Sequence, residues 1–264
     1  TVSRSETNEL VQGFVDLAII EGLSGREGSV AAEVRRRLED VGLSVEEEAP
    51  AEGGEQGNLV CPVNGGGGVV LGCHLDTARS TSGLRPVIHQ DRVTSDGTTV
   101  LGVDNRAGVA VLLHLARAAV RREVAAGPFT LVFTVREETD LMGSRSLELR
   151  TPWREAFVFD SSLRPGRYIF GSYGAKRFEG RFNGRAAHAG IAPENGADAI
   201  RAAAAAISGM PLGRLDGETT ANIGRIEGGV AINTVPDLAT FEGEVRALTG
   251  ERIDEVVAEI RGRC

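Results

Sequence analysis

Four short stretches carry residue types able to do chemistry. "LGCHLDT" (71–77) ends an apolar run in a histidine and an aspartate two apart. Successive side chains on a strand alternate faces, so His74 and Asp76 share one face while Leu75 takes the other. "LGVDNRAG" (101–108) puts Asp104 just ahead of a helical pattern, "LVFTVREETD" (131–140) closes an apolar run with Glu137 and Glu138, and "AFVFD" (156–160) closes another with Asp160. Taken singly these are bland: a helix N-cap, a solvated strand end, turn chemistry. Taken together, they aim several carboxylates and one imidazole at one sheet edge, and in open α/β sheets ligands bind beyond the carboxyl ends of the strands. Such a cluster repels itself unless a cation sits within it, and imidazole with carboxylate is a normal zinc ligand set.

The elements that must position these residues can be read from periodicity. Residues 5–22 predict a helix with Leu10, Phe14, Leu17 and Ala18 on one side, and residues 24–42 a second, opened by Ser24 or the neighbouring glycines and closed by Gly42. "NLVCPV" (58–63) and "GVVLGCHLD" (68–76) predict strands around a tight "GGGG" turn. A phosphate loop is excluded there, since no helix with Gly-Lys-Ser follows. Residues 78–100 predict a hairpin excursion, 105–123 a helix, 128–135 a strand, 143–150 a short helix and 155–160 another buried strand. This alternation argues an α/β layer with a largely parallel sheet flanked by helices. Beyond Pro165-Gly166 the order changes to strand (167–185), helix (195–210), two strands (220–229 and 239–248) and a closing helix (250–263), that of a smaller α+β sandwich. The expected units are therefore 1–165 and 166–264.

Composition narrows the function classes. The chain has 264 residues, 41% of them apolar and 25% charged, with a net charge of −8, which disfavours nucleic acid as a partner. No apolar run approaches the ~18 residues of a membrane span, so no membrane partner is expected, and the N-terminus lacks the form of a signal peptide. Cys61, Cys73 and Cys264 are an odd count without C-x-x-C spacing, which argues against a disulfide framework and for the cytoplasm.

The stretches "GCHLDT", "SDGTTVLGVDNRAG", "VFTVREETDLMGS", "FVFDSS" and "GRAAHAG" resemble the dinuclear-zinc exopeptidase and deacylase family, which includes peptidase T, carboxypeptidase G, succinyl-diaminopimelate desuccinylase and aminoacylase. "TSDGTTVLGVDNRAG" and "RAAHAGIAPENGADAI" bring the peptidase T-like branch nearest, and the resemblance runs from about residue 5 to the end. It implies that His74 and Asp160 ligate one metal, that Asp104 bridges to a second, and that Glu138 ligates the second. It implies Glu137 as the general base acting on the attacking water, and Asp76 as the acceptor that fixes the His74 tautomer. Adjacent residues on a strand face opposite ways, so both glutamates can serve only if the strand breaks there. The resemblance further implies a cis peptide at Asp104-Asn105, His188 steadying the oxyanion across a homodimer formed by the small domain, and Asn233 touching substrate. The metals would be two zinc ions, with cobalt or manganese as substitutes.

The family's chain returns to its catalytic domain after the small one and supplies a last metal-ligating histidine, whereas no histidine follows His188 here. The resemblance thus implies the N-terminal part of a catalytic domain plus a truncated small domain, with the second metal one ligand short. The expected activity is hydrolysis of short peptides by a peptidase T-like aminopeptidase. The alternatives are an N-acyl-amino-acid deacylase or carboxypeptidase of the same family and, in another class, an inactive dimerising fragment with a degraded metal site. His89 and His114 match no motif and are read as hairpin surface and helix packing.

Overall fold

A computed structural model describes residues 4–50, 52–150 and 152–264, and these fall into two units, the first ending at Ser162 and the second spanning Leu163–Cys264. The first unit holds helices α1 (Arg4–Ala18), α2 (Gly28–Glu39), α3 (Val103–Val120) and the short α4 (Met142–Ser146). Its strands are β1 (Glu46–Glu47), β2 (Leu59–Val63), β3 (Gly68–His74), β4 (Pro86–Ile88), β5 (Val93–Ser95), β6 (Phe129–Thr134) and β7 (Trp153–Val158). Apolar stripes drive the packing: Phe14 and Leu17 of α1, Val30, Val34 and Leu38 of α2, and Val109 and Leu112 of α3 are buried in one core with Leu59, Leu131 and Phe133 of the sheet. The β4–β5 hairpin stands apart from the main sheet, as the excursion at 78–100 predicts.

The main sheet has five strands in the order β1-β2-β6-β3-β7. β3 runs parallel to both β6 and β7, while β2 is antiparallel to β6 and β1 to β2, so four strands run one way, as expected, and β2 alone runs against them. The reason lies in the glycine turn. It reverses the chain between β2 and β3 without pairing them, and β6 enters the gap. Gly65, Gly66, Gly67 and Gly68 all have φ between +68° and +94°, a region only glycine occupies freely. The expectation of a second buried strand at 155–160 is corrected: every residue of β7 is exposed. Among the described residues β7 pairs only with β3, and apolar composition alone does not distinguish an edge from a centre.

The second unit contains β8 (Gly174–Asn183), β9 (Ala187–His188), α5 (Ala199–Ser208), β10 (Gly213–Arg214), β11 (Thr220–Gly228), β12 (Thr234–Val235), β13 (Leu238–Ala247) and α6 (Gly250–Arg261). An antiparallel sheet in the order β10-β11-β13-β8 shares a core with both helices, centred on Phe241, Val245, Ala203 and Val256. The strand predicted over 167–185 begins only at Gly174; before it, Tyr168 and Phe170 stack edge to face, exposed, at 4.9 Å. Asp198 and Thr249 cap the two helices by accepting from the amides of Arg201 and Arg252. All three cysteines are free, and among the described residues no helix is long and apolar enough to cross a membrane.

Candidate metal centre

Because β3, β6 and β7 run parallel, their carboxyl ends reach the same edge of the sheet. His74, the last residue of β3, is 2% exposed. Its Nδ1 lies 3.2 Å from Asp76 Oδ1, and its Nε2 lies 2.9 Å from Asp104 Oδ1, 3.7 Å from Asp160 Oδ1 and 3.9 Å from Glu137 Oε2. Donor atoms of His74, Asp104 and Asp160 fall within 4.8 Å of one another, as do those of His74, Glu137 and Glu138. Tetrahedral zinc with bonds of about 2.0–2.1 Å sets its donor atoms about 3.3 Å apart. The donor set therefore fits a divalent cation in both chemistry and spacing.

Local backbone features put each carboxylate in place. The Asp104-Asn105 peptide is cis, and both residues depart from helical angles at the start of α3. Asn105, and not Asp104, serves the helix: its Oδ1 accepts from the Gly108 amide at 3.1 Å, and its Nδ2 donates to the Phe159 carbonyl at 2.7 Å. That leaves the Asp104 carboxylate free to face His74, and ties the start of α3 to the residue before Asp160. On the third strand, regular β structure stops at Thr134 and Arg136 adopts φ +52°. The amides of Glu137 and Glu138 then point at Oδ1 and Oδ2 of Asp76, at 3.0 and 3.1 Å. This is the strand break that lets neighbouring glutamates approach one site.

Asp76 is fully buried and also accepts from the Ser24 hydroxyl. Burial works against its charge, but the bonds from His74, Ser24 and the two amides outweigh that and bring its pKa down to about 2. Burial likewise opposes the His74 imidazolium, yet the carboxylates of Asp160 and Asp76 raise it to about 11. Desolvation, with Asp160 and Glu138 nearby, pushes Glu137 above the ordinary carboxylate range although His74 opposes this; desolvation and Asp104 do the same to Glu138. Asp160 is held low, chiefly by His74. The edge is thus a well of negative potential that attracts a proton or a cation.

Three residues that sequence reasoning missed build the support. Ser24, one of the residues expected to open α2, lies outside it, since α2 starts at Gly28, the glycine alternative, and donates to Asp76. Asn58 accepts the Val135 amide at 3.1 Å, and its Nδ2 donates to the Gly143 carbonyl at 2.8 Å. Arg106 is wholly buried and donates to the carbonyl of Leu75, between His74 and Asp76, and to that of Ile20. Burial lowers its pKa to about 10 against the pull of Asp76 and Glu21. The "DNRAG" stretch could have flagged Arg106; nothing local flags Ser24 or Asn58, whose partners are remote in sequence.

His188 and Asn233 lie in the second unit on one small ribbon. β9 pairs with β12 through His188 and Thr234, and the Ala189 amide donates to the Asn233 carbonyl at 2.9 Å. His188 is exposed and accepts from the Gly190 amide at Nδ1. Of the unassigned histidines, His89 meets Thr94 across the β4–β5 hairpin and His114 meets Arg117 along α3.

Comparison with known proteins supplies the lineage. Residues 170–264 match the peptidase dimerisation domain of the M20 peptidases, and residues 86–168 match the M42 glutamyl aminopeptidase family. The chain is similar to the structure of aminopeptidase PepT from Bacillus cereus, with 32% identity and a TM-score of 0.89 over 97% of this chain and 70% of that one. It is similar to a tripeptidase from Staphylococcus aureus to the same degree, 32% identity and TM-score 0.90 over 97% and 70%. The uncharacterized protein YqjE of Bacillus subtilis shares 33% identity over 96% of this chain and 70% of its own length. A probable carboxypeptidase of Neosartorya fischeri shares 28% over 89% of this chain and 60% of its own. The chain thus spans 60–70% of the length of these relatives at 28–33% identity, and it shares the fold of the two solved structures. It belongs to the PepT-like branch of the M20 metallopeptidases.

Proposed function

We propose that the chain contributes the metal-binding centre of an aminopeptidase acting on short peptides, with zinc as the metal. The observation that carries this reading is the convergence of Asp104, Asp160 and Glu137 on His74 Nε2, within 3.9 Å. The kinship with a PepT aminopeptidase and a tripeptidase supports the substrate class.

In this reading His74, Asp104, Asp160 and Glu138 would be the residues that hold the metal. A bound divalent ion would make water a nucleophile near neutral pH and polarise the scissile carbonyl. Asp76 keeps His74 Nδ1 protonated, so that Nε2 offers its lone pair. Glu137 takes a proton on its carboxylate from the attacking water and returns it to the leaving amine. His188 is read as steadying the oxyanion across the homodimer and Asn233 as touching substrate. The match of residues 170–264 to a dimerisation domain supports assembly as a homodimer through the second unit.

Hydrolysis of a free tripeptide and of its N-acetylated form tests the reading in zinc-loaded protein. Cleavage of the free peptide, abolished by acetylation, is expected; preference for the acylated substrate would favour a deacylase or carboxypeptidase. Glu137→Gln is expected to lower turnover by about 10²–10⁴-fold while metal remains bound. No hydrolysis of either substrate with zinc, cobalt or manganese would leave the inactive dimerising fragment as the better description.

A further inference from the structure

The segment after β6 carries both glutamates of the site, and its backbone has left the sheet. Four successive amides there are accepted by side chains from elsewhere in the chain. Val135 donates to Asn58 Oδ1 at 3.1 Å, Arg136 to Glu27 Oε1 at 3.0 Å, Glu137 to Asp76 Oδ1 at 3.0 Å and Glu138 to Asp76 Oδ2 at 3.1 Å. Asn58 and Asp76 each have further work, on the Gly143 carbonyl and on His74. Glu27 has no such assignment. It sits at the start of α2, is completely buried, and its Oε1 also accepts from the Gly25 amide at 2.8 Å. Its Oε2 is buried with no hydrogen-bond partner. An acid buried in this way is costly, and a helix start does not require it: the Glu27 side chain makes no capping bond to α2.

We propose that Glu27 is a positioning residue, which by accepting the Arg136 amide fixes the strand break that aims Glu137 and Glu138 at the metal centre. Arg136 is where the break occurs, at φ +52°, and Glu27 is the side chain that accepts its amide as the chain turns out of β6. Without Glu27 the Arg136 amide at the pivot would lose its acceptor, while the carbonyls of Val135, Arg136 and Glu137 would keep the Gly143, Met142 and Leu141 amides that donate to them. The role of the two glutamates rests on the reading of the site given above; the clamp itself does not.

The test compares Glu27→Leu, which removes the acceptor, with Glu27→Gln, which keeps an oxygen at the same reach. Amide hydrogen exchange is read residue by residue in metal-free protein, and zinc affinity is read by titration. In Glu27→Leu, exchange of the 136–138 amides is expected to quicken about tenfold or more while the amides of Phe129–Thr134 keep their parent rates. Its zinc dissociation constant is expected to rise about 10–100-fold, with the glutamine variant staying near the parent in both respects. Parent-like exchange at 136–138 in the leucine variant overturns the proposal. So does acceleration spread evenly over β6, or shared by the glutamine variant, because that is general destabilisation. Glu27→Asp, one methylene short of Arg136, carries the same test if the leucine variant does not fold. The exchange readout needs neither metal nor peptide. Failure of the parent chain to bind zinc would count against the functional reading, while the exchange rates still decide the clamp.

Discussion

In the proposed site a proton and a divalent ion would compete for His74 Nε2. Burial penalises the imidazolium, yet the carboxylates of Asp160 and Asp76 beside it raise its pKa from an ordinary 6.5 to about 11. Below pH 6.5 folded and unfolded chains both hold the proton, and the full stabilisation is present. Between 6.5 and 11 the folded chain keeps a proton that the unfolded chain has lost, so stability falls as pH rises. Asp76 works at the acid end: lowered from 3.8 to about 2, it stabilises above 3.8 and the benefit is lost as pH falls toward 2. In chelator-treated protein, Tm is therefore expected to decline from pH 6.5 to 9, and His74→Gln is expected to flatten that decline. Equal slopes in the two proteins would show that His74 does not carry the charge. Saturating zinc is expected to reverse the trend, since a ligand histidine must be deprotonated and binding strengthens with pH.

At the scale of the element, the placement of each ligand depends on where regular structure stops. β3 could be read to its last residue, because a period of two predicts His74 and Asp76 on one face. The end of β6 could not, since the side chains that accept the amides of the break, those of Glu27, Asn58 and Asp76, each lie more than sixty residues away in the chain. Ser24 was similarly hidden, its partner lying 52 positions on. The entry of β6 between β2 and β3 escaped reading for a related reason: a glycine turn shows that the chain reverses, not that the strands on either side pair. Unit two was more legible, since its alternating strands and capped helices follow local rules. Its core also contains a close fit. A Cβ on Gly180 of β8 would stand 2.2 Å from the ring of Phe241, which packs against Phe178 and Phe182. Gly180→Ala is expected to destabilise that unit by about 1–3 kcal/mol in chemical denaturation through overpacking. Its zinc stoichiometry should match that of the parent. Unchanged stability would mean that the aromatic cluster yields without cost.

At the scale of the molecule, two units with separate cores divide the work. The first gathers His74 and the carboxylates, and the second carries the match to a peptidase dimerisation domain together with His188 and Asn233. If the second unit mediates assembly, sedimentation equilibrium is expected to give twice the monomer mass; a monomer at micromolar concentration would remove that role. The central claim, that the sheet edge at His74 is a metal centre, is tested most directly by metal content per chain after zinc loading and removal of excess. At least one tightly held ion is expected in the parent chain and in Glu137→Gln, with two if the second site is complete, and none is expected in His74→Ala. A parent chain that holds no zinc, or a His74→Ala variant that holds as much as the parent, would contradict it.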